Sequence, residues 1–296
     1  MKTLTIFTPT YNRAHTLVRT YQSLCNQTCK DFEWLIIDDG STDNTAEIVK
    51  KWIKEADFEI RYIFKENGGL YTGYNTAYAN IDTELNVCID SDDYMPIDAV
   101  ETITNHWQKY GSEKYAGIIG LDFYHEKNIP IGGYFPKELK EIYYLDLYTK
   151  NIHHGDIKLV FRTDLMKQVA PLIGFDGEKN FNPVSMHLLV CDKYPSLTLN
   201  RNLCFVDYQE FDSMSKAIYY QYRNSPNSFT KGRIIEMGLK RSTLKNKFRL
   251  AIHYISSCIF AKEKKWYSKT PCKTLTILAI PLGILLNLFI RYKTRK

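Results

Sequence analysis

The chain has 296 residues, of which 44% are apolar and 24% charged, with 22 Tyr, 15 Phe and a formal net charge of +6. That is enough apolar material for one large domain, or one domain and an appendage, and it excludes disordered and fibrous classes. The seven cysteines are an odd number, and the first ten residues run straight into a short apolar segment; reduced thiols in a cytoplasm are expected, with no signal peptide.

The first 120 residues alternate β-rich runs with helical patterns. Strands are predicted at Leu4 to Thr8, Glu33 to Asp38, Phe58 to Phe64, Leu85 to Ile89 and Ala116 to Ile119. Between the first two, Leu17, Tyr21, Leu24 and Cys25 share a helical face. Between the next two, Asp43 caps a helix whose apolar face is Val49, Trp52, Ile53 and Ala56. This β-α-β order specifies an α/β fold with a mostly parallel sheet flanked by helices, whose ligands bind beyond the carboxyl ends of the strands.

The residues just after those strands are Pro9-Thr10-Tyr11-Asn12-Arg13, then Asp38-Asp39-Gly40-Ser41-Thr42-Asp43, Asn67-Gly68-Gly69 and Asp90-Ser91-Asp92-Asp93. A dinucleotide-binding Gly-rich loop and a GxxxxGK phosphate loop are both absent. Carboxylates stand where glycines would be. They cannot cradle phosphates directly, but they can hold a hard divalent cation that neutralises a diphosphate.

Together these motifs resemble the family-2 glycosyltransferases with a GT-A fold (Rossmann-like), of the bacterial surface-polysaccharide type, over about residues 3 to 125. By that resemblance, residues 1–239 form the catalytic domain, with a nucleotide-sugar half at 1–120 and an acceptor half at 121–239. The resemblance implies that Thr8, Pro9, Tyr11, Arg13, Asn67, Gly69, Asp90 and Ser91 line the nucleotide site. Tyr11 would stack on the base, and Asp39 would accept the imide N–H of uracil or thymine. Asp92 would ligate Mn2+ or Mg2+ between the phosphates, with Asp90 at the ribose or a metal-bound water. Asp93 is expected to orient a helix starting near Pro96.

Two departures from the family stand out. The stretch from Leu70 to Tyr74 has no basic residue on the phosphate side, leaving Arg13 or Lys65 to supply that charge. Pro183-Val184-Ser185 stands where an acidic pair often provides the general base, so Glu178 and Asp156 are the nearest acidic substitutes as catalytic residues. Further segments, among them His153 to Asp156, Gly174 to Lys179 and Val206 to Glu210, resemble bacterial sugar transferases. A processive QxxRW signature is absent, so one sugar is expected per binding event. The implied function is inverting, metal-dependent transfer from a nucleotide-sugar donor, first of all a UDP-sugar, to a lipid-linked saccharide acceptor. The alternative is a non-catalytic sugar-nucleotide-binding or membrane scaffold.

The last segment, 240–296, is predicted to be a membrane-associating helical tail. It carries 14 basic residues against one acid, a net charge of +13, which leaves −7 for the rest. Its 17-residue apolar run from Thr274 to Ile290 contains Pro281 and Gly283, where a kink or reversal is favoured. As a helix the run would cover about 26 Å, under the ~30 Å of a bilayer core. Basic residues on both flanks keep both ends on one side. Phe248, Ala251, Ile252, Ile255 and Ile259 are expected to face an interface. The expected partner is an anionic membrane surface at the cytoplasmic face, in a peripheral or monotopic arrangement. Nucleic acid is not expected, because the tail's aromatics and bases are not interleaved as in a binding module.

Overall fold

The structure, a computed structural model, describes residues 2–206 and 217–295. The Asp207 to Glu210 segment singled out in the sequence lies outside the described residues. Contacts group the chain into two units: Met1–Gly68, Thr72–Pro171 and Lys193–Tyr208 in one, and Gly69–Tyr71, Leu172–Asp192 and Gln209–Lys296 in the other.

The first unit is built on a nine-stranded mixed sheet. Its strands are β1 (Leu4–Thr10), β2 (Phe32–Asp38), β3 (Glu59–Phe64), β4 (Leu85–Cys88), β5 (Gly117–Tyr124), β6 (Ile129–Pro130), β7 (Glu141–Ile142), β8 (Ile157–Arg162) and β9 (Ser196–Val206). The order is β3-β2-β1-β4-β8-β5-β9-β7, with β6 beside β5. β1 to β4 pair in parallel, as does β5 with β9, while β8 runs antiparallel between β4 and β5. β1 and β2 are buried along their whole length, which is why they read as continuous apolar runs.

Helices α1 (Ala14–Cys25), α2 (Thr45–Glu55), α3 (Leu70–Asn80) and α4 (Ala99–Tyr110) follow the first four strands. Leu17 and Leu24 of α1 and Val49 and Trp52 of α2 enter the core. Tyr21 stacks on Trp52 with ring centroids 4.4 Å apart. Ile53 departs from expectation: at 44% exposure it lies off the buried face. Beyond β7 come α5 (Tyr144–Thr149) and, after β8, α6 (Thr163–Val169).

The second unit is helical in its described part: α7 (Val184–Cys191), α8 (Ile218–Asn224), α9 (Pro226–Gly238), α10 (Leu244–Ala261), α11 (Trp266–Lys269), α12 (Lys273–Leu278) and α13 (Ile280–Lys293). Its core joins Met237, Leu250, Ala251, Tyr254, Ile255, Cys258 and Ala279. The apolar face of α10 therefore differs from the membrane interface that its sequence suggests. Ala251 and Ile255 are buried, with Phe248 and Ile252 packed beside them; Ile259 stays partly exposed. The helical periodicity holds, but α9 and α13 supply its partner surface.

Candidate active site

The parallel strands bring their carboxyl ends to one edge of the first unit, and the loops that leave them are tied together. Asn12 has φ +52°, a left-handed conformation that Asn tolerates better than most residues. Its N–H donates to Ser41 Oγ at 2.8 Å, and its Oδ1 accepts from the Thr42 N–H at 2.8 Å. Asp43 accepts from the Ala14 and Thr45 N–H groups, each at 3.1 Å, so one carboxylate serves the first turns of both α1 and α2. Gly40 takes φ +86°, and a Cβ there would sit 2.9 Å from Asn67 N. Only glycine fits that turn.

Within this frame Asp39 is buried, and Lys65 Nζ lies 2.5 Å from its Oδ1. The Gly68 N–H donates to the same oxygen at 3.0 Å, and Asn67 Nδ2 donates to the Asp39 carbonyl at 2.8 Å. Lys65 is thus committed to Asp39. Arg13, at the start of α1, lies close enough to Asp92 to stabilise its carboxylate. Tyr11 is 49% exposed beside this loop, Pro9 lies near the end of β1 against Gly73, and the neighbouring Thr10 hydroxyl is buried with no hydrogen-bond partner. Thr8 points elsewhere: its hydroxyl accepts from the Trp34 indole at 3.0 Å in the core.

The loop after β4 presents Asp90 outward, buries Ser91 and leaves Asp92 between the two. Burial, and then the Asp90 charge, push the Asp92 carboxyl above its usual range. A partly desolvated carboxylate beside a second one is a donor set that a hard divalent cation relieves. Among the described residues no three His, Cys, Asp or Glu side chains form a ready-made cage. Asp90 and Asp92 supply carboxylate oxygens, the donor type that a hard divalent cation takes.

Asp93 is not at the start of α4, which begins at Ala99 after Asp98. It turns inward, where Lys158 Nζ lies 3.9 Å from its Oδ2 and 3.7 Å from Asp122 Oδ1. Burial pushes Asp93 up to about 8 and Asp122 up to about 6, against the opposing pull of Lys158. Burial alone would lower the Lys158 ammonium, but Asp122, Cys204 and Asp93 hold it well above the lysine range. No sequence signal announces this buried triad, since its members are 29 and 36 positions apart along the chain and lie on different elements.

The two candidate bases fall in different surroundings. Asp156, just before β8, is exposed, and its charge reaches Asp122. Glu178 belongs to the second unit and is buried. Its Oε1 accepts from Asn227 N and Nδ2 at 2.9 and 2.8 Å, and its Oε2 from Ser228 N at 2.7 Å. Both oxygens are taken up at the start of α9. Gly69 also falls in that unit, close against the Lys179 main chain. All seven cysteines are free.

Residues 5–168 match the profile described as glycosyl transferase family 2. Glycosyltransferase GlyA of Streptococcus pneumoniae is 32% identical over 145 residues, 49% of this chain and 20% of its own length. The poly(ribitol-phosphate) beta-N-acetylglucosaminyltransferase TarP of Staphylococcus aureus is 32% identical over 126 residues, 41% of this chain and 38% of its own. The chain thus spans well under half the length of either relative within the matched region. The fold extends further: S. aureus TarS in complex with UDP-GlcNAc superposes with a TM-score of 0.61 at 18% identity, covering 99% of this chain and 92% of that one. Mannosyltransferase PcManGT from Pyrobaculum calidifontis, in complex with GDP-Man and Mn2+, gives 0.55 at 15% identity over 99% and 76%. These likenesses identify a GT-A fold. With the profile matched over more than half of the sequence, from β1 through the whole carboxylate-bearing edge, the chain belongs to glycosyl transferase family 2.

Proposed function

We propose that the chain is an inverting, metal-dependent glycosyltransferase. It moves one sugar from a nucleoside diphosphate donor, first of all a UDP-sugar, to a lipid-linked oligosaccharide in surface polysaccharide synthesis. The observation that carries this reading is the set of acids Asp39, Asp90 and Asp92 in the loops at the carboxyl ends of the parallel strands β2 and β4, with the β1 and β2 loops locked together through Asn12 and Asp43. The UDP-GlcNAc held by TarS and the Mn2+ held by PcManGT support the donor and metal classes.

In this mechanism Tyr11 covers the base and Asp39, oriented by Lys65 and the Gly68 N–H, accepts the base imide proton. Asp92, with Asp90 beside it, would hold the cation, which would supply charge neutralisation to the departing diphosphate. Arg13 adds positive charge on the same side. The acceptor hydroxyl attacks the anomeric carbon opposite the leaving group and gives its proton to Asp156, the more accessible of the two candidate bases. Glu178 keeps α9 in place.

Membrane attachment rests on the inverted polarity of α13. Gly283, Asn287 and Ile290 are buried, while Leu282, Leu285, Leu288, Phe289 and Tyr292 are exposed at 41% or more. A helix bathed in water would do the reverse. No helix among the described residues is long and apolar enough to cross a membrane, so the face is proposed to lie in the cytoplasmic leaflet, with the basic flanks at the headgroups.

The test is incubation with a panel of UDP- and dTDP-sugars, Mn2+ and lipid acceptor extract. Release of nucleoside diphosphate with sugar transfer is expected; neither binding nor hydrolysis of any donor would sink the proposal and leave only the membrane-scaffold reading. Asp92→Ala is expected to lower turnover at least about 100-fold. Its unfolding free energy should stay within about 0.5 kcal/mol of wild type, because a loop acid holds no core together. Wild-type rates in that variant at saturating Mn2+ would refute the metal assignment.

A further inference from the structure

Beneath the Asp90 to Asp93 turn lies the buried triad of Lys158, Asp93 and Asp122, which the proposed mechanism does not use. Lys158 on β8 faces Gly120 of β5 across the antiparallel ladder, and Asp122 is the next residue on the same face of β5. Its ion pairs, at 3.7 and 3.9 Å, are longer than direct hydrogen bonds. Three desolvated ionisable groups are a poor way to gain stability, since well-packed apolar side chains of similar volume often do as well. The arrangement asks for another reason.

The turn itself supplies one. Its main chain is pinned from several directions. The Asp93 N–H donates to the Asp90 carbonyl at 3.0 Å, Thr20 Oγ1 donates to the Asp93 carbonyl at 2.7 Å, and Arg19 donates to the Asp92 carbonyl. Tyr94 and Phe205 exchange main-chain hydrogen bonds of 3.3 and 2.8 Å just beyond. Of the three acids, only Asp93 is turned into the protein, at 5% exposure.

We propose that Lys158 is a positioning residue: with Asp122 as its second anchor, it holds Asp93 inward and so fixes the Asp90 and Asp92 carboxylates toward the donor diphosphate. The inference rests on the reading of Asp92 as the metal ligand, and its test separates the two. Mn2+ binding to the full chain is measured with UDP present, by calorimetry and by electron paramagnetic resonance, beside the thermal midpoint. Wild-type protein that binds neither Mn2+ nor UDP would overturn the donor reading and this inference with it. If wild type binds, Lys158→Met is expected to weaken Mn2+ binding roughly 10- to 100-fold, while metal-free UDP binding is unchanged.

Because Lys158→Met leaves two buried carboxylates facing each other, the double variant Lys158→Met/Asp122→Asn accompanies it. The double variant is expected to regain thermal midpoint and to remain weak for Mn2+. Recovery of midpoint and Mn2+ affinity together, or wild-type Mn2+ affinity in folded Lys158→Met, would overturn the inference and leave the donor reading standing. Failure of both variants to fold would make the triad a folding requirement, and the positioning role would fall.

Discussion

Glu178 and Asp156 look alike in the sequence, two acids near an expected base, yet the fold gives them opposite surroundings. Glu178 takes three N–H groups at the start of α9, and Glu178→Gln is expected to lower stability by about 1 to 2 kcal/mol, as loss of a charged cap does. Transfer activity should persist in the folded variant, whereas Asp156→Asn should nearly abolish it; assays of both variants at matched folded fraction decide between the two acids. His187 offers a pH signature in the same unit. Burial pushes its imidazole down from 6.5 to about 4, so it is neutral when folded and protonates more readily when unfolded. Its stabilising contribution is full above about pH 6.5 and is lost as pH falls toward 4, by roughly 3 kcal/mol in all. Denaturant unfolding across that interval should show the loss, and His187→Leu should shed about that much less. An equal acid sensitivity in the variant would assign the loss to other groups, such as His253, which burial also pushes down to about 4.

Among the elements, the tail shows how one break changes a helix's role. The sequence favours a bend near Pro281 and Gly283; the break comes at Ala279, between α12 and α13, with Pro281 at the start of α13. Proline suits a helix's first turn, where its missing N–H costs nothing. Gly283 instead lets two helices approach, since a Cβ there would sit 2.5 Å from Ile255 Cβ and 3.0 Å from the Ile252 carbonyl. Gly283→Leu is therefore expected to part α13 from α10 and cost about 1 to 3 kcal/mol, visible as a lower thermal midpoint. A midpoint equal to wild type would show that the two helices do not need this close approach.

For the whole molecule, the +13 of the tail and the −7 of the remainder make an ionic contribution to membrane binding that salt screens, while the outward face of α13 makes one that salt leaves intact. Wild type is expected to bind anionic vesicles less at about 1 M salt without being released. Deleting the tail is a poor control, because α13 buries Ile290 and Gly283 against the rest of its unit. Replacing Leu282, Leu285 and Leu288 by Gln leaves that core in place, and this variant should come off vesicles at high salt. Vesicle sedimentation measures it; wild type that never sediments with the vesicles would reassign the face to contact with another protein.

Over the first 120 residues the strands, the first two helices and the carboxylates in the loops after the strands were legible in the sequence, because strand periodicity and turn chemistry act over a few neighbouring residues. Leu4 to Thr8 and Glu33 to Asp38 read as strands and are strands within one or two residues at either end. The same local signals could not say that Ile53 would face water, that Asp93 would turn to Lys158 rather than to α4, or that Glu178 would be taken up by α9. Nor could they say that the amphipathic face of α10 would find protein partners in α9 and α13. Each of these depends on which distant segment arrives beside a residue. Only the tertiary structure decides that, because burial and charge pairing are set by neighbours in space.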